Sequence, residues 1–167
     1  MPLIKDARVV DDPWRHLGDE EPLGESERAS VSFQRWSRER EALCRRNGPL
    51  GLRLPNNVTP ATLAADVARF ELIVLSFPRF TDGRAYSQAR LLRSRFAFRG
   101  ELRASGNVLR DQLLFMRRCG FDAFELDDHA PIAEWLRAFH EFDIFYQPAE
   151  DGASAIMHRR LRSGGFV

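Results

Sequence analysis

Glu71-Leu72-Ile73-Val74-Leu75-Ser76-Phe77 (71–77) is the most hydrophobic run in the chain. It is apolar at successive positions rather than at alternate ones, as a strand buried on both faces requires. Working upstream, Thr59-Pro60 opens a helix over about 60–69, with a hydroxyl at the N-cap and proline at the first helical position. Before it LGLRL (50–54) reads as a strand, and a helix over 34–47 stops at Asn47-Gly48-Pro49. ASVSF (29–33) precedes that helix as a further strand. Downstream comes the loop FPRFTDG, then a helix over 84–96 carrying Ala85, Ala89, Leu92 and Phe96 on one stripe. Gly100 breaks it, and ELRAS (101–105) reads as a weaker strand. A helix at 108–118 follows Gly106-Asn107 and ends at Cys119-Gly120. FDAFEL (121–126) is the next strand, Asp127 to Pro131 opens a helix to about His140, and FDIFYQ (142–147) closes the series.

Strand and helix alternate, with connections long enough for crossovers between parallel neighbours. The class is α/β, with five or six mainly parallel strands alternating with helices, as an open sheet or a half-barrel of βα units. A half-barrel leaves an exposed edge that a second copy could pair with, as a homodimer. Residues 1–28 read as an N-terminal arm, 29–148 as one α/β domain and 149–167 as a flexible C-terminal tail. Within the arm, LIKDARVV suggests a short strand with a turn at Lys5-Asp6, and Trp14 is placed to anchor the arm by burying its ring.

The chain has 167 residues, of which 44% are hydrophobic and 29% charged, a balance that supports a buried core and excludes a disordered class. No apolar run approaches the ~18 residues of a membrane span. MPLIKDARVV lacks the apolar stretch of a signal peptide, so the expectation is a soluble, cytoplasmic protein. Cys44 and Cys119 form no CxxC, which argues against a redox dithiol or an iron–sulfur cluster. Cys119 sits at a helix end where a small buried residue is expected. The four histidines show no HExxH spacing, and Asp127, Asp128 and His129 read as the acidic start of a helix rather than as metal ligands. No cofactor and no metal are expected.

The net charge of +1 hides a segregation. Residues 76–118 hold ten arginines against Asp82, Glu101 and Asp111, whereas residues 1–30 hold eight acids against four bases. Residues 119–151 hold nine acids against Arg137 alone. In parallel α/β sheets the loops leaving the carboxyl ends of the strands build the ligand site. Three such loops, 78–88, 105–112 and 125–129, are dense in polar residues, and the first two carry Arg79, Asp82, Gly83, Arg84, Tyr86, Ser87, Asn107, Arg110 and Asp111, with Arg103 just before the second. Helices starting near Gly83 and Asn107 would aim free N–H groups at that rim, and Arg79, Arg84, Arg103 and Arg110 could fork onto a small anion. The opposing reading is that Thr81 or Asp82 caps a helix, Gly83 permits a tight turn, and the arginines pair with Asp82, Asp111 and the acidic flanks. No GxGxxG, GxxxxGK[ST] or GxSxG motif is present, so catalytic residues stay unassigned. Asp82, Asp111 and Asp127 are the candidates if acid–base chemistry occurs. Phe77, Phe80, Tyr86, Phe96, Phe98 and Phe115 interleave with the arginines, but at core-type positions, which argues against nucleic acid.

FPRFTDGRAYSQARLLR (77–93), GELRASGNVLRDQLLFMRRCGFDAFEL (100–126) and GPLGLRL (48–54) together resemble the bacterial domain-of-unknown-function family 934. The resemblance extends from Leu3 to Gln147, with Asn107 standing where similar proteins carry an acidic residue. Members are often labelled oxidoreductases of sulfite reduction, and their genes tend to lie beside those of assimilatory sulfite reductase. The resemblance therefore implies an accessory protein of assimilatory sulfite reduction, which binds a small oxyanion or a sulfur-pathway enzyme such as sulfite reductase. The alternative is a true enzyme, of oxidoreductase or lyase type, using the rim aspartates. It supplies no catalytic residues to carry over.

Overall fold

A computed structural model describes residues 1–141 and 148–150. The first sixteen residues supply three short strands, β1 (Leu3–Lys5), β2 (Arg8–Val10) and β3 (Arg15–His16). The rest of the sheet is β4 (Ala29–Ser32), β5 (Leu50–Leu54), β6 (Leu72–Phe77), β7 (Glu101–Gly106) and β8 (Ala123–Glu125). Between them lie α1 (Phe33–Arg45), α2 (Arg84–Arg90), α3 (Leu113–Arg118) and, after β8, α4 (Ile132–Ala138). The Ser32 hydroxyl caps α1 by accepting the Arg35 N–H at 3.0 Å. The strand expected at 142–147 and the tail at 151–167 lie outside the described residues.

The helix expected over 60–69 is instead two 3₁₀ turns, Pro60–Leu63 and Val67–Arg69. Asp66 breaks the helical path between them (φ −119°, ψ 0°), and its carboxylate is held by Arg40 at 2.7 Å. Leu63, Val67 and Phe70 still turn inward to the core, so apolar spacing was satisfied without a continuous helix. The helix after β6 passes at Leu91–Arg95 into a π turn.

Strand order is β2-β1-β8-β7-β6-β5-β4-β3. From β3 to β8 every neighbour is parallel, and β1 pairs antiparallel with both β8 and β2. The order runs without reversal, so the winding keeps one sense, as in (βα) barrels, and there is no doubly wound switch point. The helices cover one face: Val31, Leu52, Ile73, Leu75, Leu102 and Phe124 of the strands share a core with Trp36, Leu43, Leu92, Leu113, Met116 and Trp135.

The arm explains why the sheet curls. β2 and β3 are its two opposite edges, yet only Asp11–Trp14 separates them in sequence. Eight strands laid flat would span about 34 Å from first to last. The five residue steps from Val10 to Arg15 reach about 18 Å at most. The sheet must therefore bend into a half-barrel, with the Asp11–Trp14 strap across its open side. Trp14 is 6% exposed and packs on Leu72 and Val74, the side chains of β6 that face away from the helices. This satisfies the second buried face that the continuous hydrophobicity of 71–77 demands. Among the described residues no helix is long and apolar enough to cross a membrane.

Candidate functional site

The carboxyl ends of β6 and β7 meet at Phe77 and Gly106, which face each other across the ladder. Gly106 has φ +94°, and a Cβ there would lie 2.7 Å from the Phe77 carbonyl oxygen, so the chain can leave β7 this way only through glycine. Asn107 then donates its N–H to Phe77 O at 2.8 Å, and the Gln112 amide donates to Phe80 O at 3.2 Å. The Tyr86 ring packs edge-on against Phe77 (5.1 Å) and at a tilt against Phe115 (4.8 Å), which ties α2 to α3. Loops 78–83 and 107–112 thus form one rim.

Most of its charges are already matched. Arg84 holds Asp82 through two side-chain bonds of 2.9 and 2.6 Å, while the Arg84 N–H (3.2 Å) and the Asn56 amide (2.8 Å) donate to the same carboxylate. These contacts keep the Asp82 carboxyl well below the usual carboxylate range. Asp82 is thus an internal anion sitting at the start of α2, just after Gly83. Arg110 pairs with Glu141 at 3.1 Å. Tyr86 is half-buried, and that burial, with the nearby Cys119 and Asp111, pushes its hydroxyl pKa up. Arg79, Ser87, Asn107 and Asp111 are exposed, and Arg79 makes no ion pair among the described residues.

The rim also exposes apolar side chains. Phe80 is 52%, Leu109 37% and Phe115 57% exposed, and the other exposed large hydrophobics among the described residues are Met1 and Val9. Leu109, Gln112 and Phe115 recur every third residue along the turn Arg110–Gln112 and α3, so they share a face, and Gln112 binds the Phe80 backbone beside it. Phe77 and Phe98 occupy core positions as expected, but Phe80 and Phe115 do not. The every-third-residue spacing of Leu109, Gln112 and Phe115 is visible in the sequence; that this stripe faces outward is not.

Arg103 stands apart from this rim. It lies in mid-β7 on the concave face, in register with Arg53, Val74, Ala123 and Lys5, and is fully buried. Its guanidinium holds Asp12 at 2.6 and 3.0 Å, Glu101 at 2.8 and 2.9 Å, and Glu125 at 3.0 Å. Lys5 adds a second cation on Glu101 at 2.7 Å. His16 bridges Asp12 (2.9 Å) and the Ser30 hydroxyl (2.6 Å). Asp12, His16 and Glu125 bring their ligand atoms within 4.8 Å of one another, a grouping that could hold a metal. Here the Arg103 guanidinium contacts both carboxylates, so the chain supplies the cation itself.

Burial raises the Asp12 pKa, but the Arg103 and His16 hydrogen bonds outweigh it and hold the carboxyl down at about 2. A depressed folded-state pKa stabilises above the unfolded value of about 3.9, and the contribution fades as pH falls toward the folded value. The strap should therefore become protease-sensitive between about pH 4 and pH 2. Asp12→Asn should remove that acid step and leave the strap cleavable at neutral pH, as acid-stable proteases of both pH ranges would show. An acid step unchanged in Asp12→Asn would mean that another group latches the strap.

Some of the middle-third arginines sit at helix ends instead. Arg95, Arg117 and Arg118 fall in last helical turns, where cations complement the dipole. Cys119 is buried, and that desolvation pushes its thiol pKa up despite Arg90 and Arg118. Asp127 accepts the His129 N–H at 2.9 Å, closing the turn before α4.

A family profile described as a bacterial protein of unknown function, DUF934, matches residues 51–157. The chain belongs to DUF934. The match covers about two thirds of the chain, from β5 through the whole rim, and includes Arg103, Glu101 and Glu125. The strap with Asp12, Trp14 and His16 lies before it. No curated protein matches the chain.

Proposed function

We propose that this DUF934 protein is a cytoplasmic accessory protein of assimilatory sulfite reduction that docks a sulfur-pathway enzyme through the carboxyl rim. The observation that carries this reading is the outward stripe Leu109–Phe115 with Phe80, fringed by Arg79, Arg84 and Arg110. Exposed aromatics beside arginines are the composition of interface hot spots, and single surface hydrophobics rarely cluster without a partner. Arg79, exposed and without an ion pair among the described residues, favours an acidic group on the partner face. The pathway comes from the family resemblance.

A small oxyanion at the same rim is less well supported, because Asp82 already fills the anion position at α2 and Arg110 is engaged by Glu141. The enzymatic alternative finds little support in Asp82, since a carboxyl held so low is a poor proton carrier near neutral pH.

The test is titration of purified assimilatory sulfite reductase onto the immobilised protein. Wild type should bind saturably and more weakly as salt rises, and Phe115→Ser should weaken binding by about 2 kcal/mol or more, the scale of a hot-spot truncation. Phe115 is 57% exposed, so its loss, which removes the ring contact with Tyr86, should lower the unfolding midpoint only modestly. No binding by wild type, or equal binding by Phe115→Ser, would count against the proposal.

A further inference from the structure

At the opposite end of the half-barrel, where β8 begins, a cavity of about 550 Å³ opens between the Asp6–Ala7 turn, the segment Gly120–Asp122 and the end of α4. Its size is in the usual range of small-molecule sites, roughly 300–1,000 Å³. No part of the rim site enters it.

The floor is built and electrically closed. Arg93 donates to Gly120 O (2.9 Å), Phe98 O (2.8 Å) and Gly100 O (2.9 Å), and its remaining nitrogen pairs with Asp122. Gly120 has φ +103°, and a Cβ there would meet the Arg93 stem at 2.5 Å, so glycine is needed for this arginine to lie flat along the floor. The Asp122 oxygen that pairs with Arg93, Oδ2, also accepts the Leu102 N–H at 2.9 Å.

With that pair set aside, the described residues that line the cavity include two guanidiniums and two carboxylates: Arg99 and Arg117, Asp6 and Glu150. Arg117 is pre-positioned, donating to Phe139 O at 3.0 Å with its guanidinium 5.0 Å over the Phe139 ring. Glu150 is fixed by its N–H on Arg118 O at 3.2 Å. Arg99, Asp6 and Glu150 form no ion pair among the described residues. A ligand of one sign gains from one pair of these groups and is repelled by the other. A ligand carrying both signs gains from all four.

We propose that this cavity binds a small zwitterion of the α-amino-acid class, its carboxylate taken by Arg99 and Arg117 and its ammonium by Asp6 and Glu150. Phe121 and Phe139 supply an apolar wall, and the exposed His140 also lines the cavity. The four charged groups come from the β1–β2 turn, the lead into β7, α3 and the segment after α4, so a bound zwitterion would cross-link elements distant in sequence.

The probes are the free α-amino acids, screened by thermal shift on the full chain at millimolar concentration, with calorimetry for each that stabilises. Every active amino acid is then compared with its N-acetyl and its amide derivative, which lack one charge each, and with sulfate. The expected result is saturable binding by at least one free amino acid, weakened tenfold or more in both blocked forms. Arg99→Gln should weaken it by a similar factor; Arg99 is exposed, so the variant should fold normally. Phe115→Ser, at the other rim, should bind the amino acid as wild type does, whatever becomes of partner docking. No binding by any free amino acid would overturn the proposal. So would blocked forms binding as well as free ones, or sulfate as the sole ligand.

Discussion

Arg103→Met should lower the free energy of unfolding by about 3–5 kcal/mol, the range found when one member of a buried ion cluster is removed. The physical reason is the charge left behind. Asp12, Glu101 and Glu125 all bond to this one guanidinium, and Lys5 reaches only Glu101. Without Arg103 the concave face would hold three carboxylates and a single lysine, and Glu101 and Glu125, at 9% and 16% side-chain exposure, are reached by little water to spread the excess. Methionine fills most of the volume, so a large loss would come from electrostatics rather than from a cavity. Arg103→Lys should fall in between: it restores a charge but not the five-donor fork that reaches three partners at once. Urea unfolding of the three proteins settles the ranking. If Arg103→Met stays within about 0.5 kcal/mol of wild type, the size of an ordinary surface change, the cluster does not hold the interior together.

Trp14→Ala is the second large effect, at about 3 kcal/mol or more, from the usual cost of truncating a buried tryptophan. Trp14 has more to lose than its own area, because its ring covers Leu72 and Val74, and Arg28 lies 5.0 Å over its outer face. Stripping the strap would open the concave face of β6 to water and loosen the link between the two sheet edges. The unfolding midpoint should fall, and hydrogen exchange should quicken in β3 and β4 as well as at the strap. Trp14→Phe should recover most of the loss. A midpoint close to wild type in Trp14→Ala would mean that the sheet keeps its curl without the strap.

These two residues also show how far sequence reading went. The run 71–77 was legible because both of its faces are buried, Ile73, Leu75 and Phe77 under helices, Leu72 and Val74 under Trp14. Strands β4 to β8 followed from the same logic, and Trp14 was recognisable as an anchor. The strands of the arm were too short, at two or three residues each, for any periodicity to register beyond the first. β1 pairs with β8 far along the chain, as in Ile4 with Phe124, and the strap is held by an equally distant contact, Asp12 with Arg103. The place of Arg103 was nonetheless encoded: in ELRAS, Leu102 and Ala104 face the helices, so alternation sends Glu101, Arg103 and Ser105 to the other face. Reading 101–105 as a path to a rim loop hid this. The basic middle third misled differently. Arginines contiguous in sequence divide between helix C-termini, the barrel interior and the rim, and composition carries no record of that division.

The claim on which the functional account depends is that partner contact falls on the carboxyl rim and nowhere else. Hydrogen exchange of the full chain, measured with and without assimilatory sulfite reductase, tests it most directly. The account predicts added protection in 78–88 and 107–118, with Asp11–Trp14 and Gly120–Asp122 unchanged. Protection confined to the strap or to the amino-end cavity, or none at saturating enzyme, would contradict it.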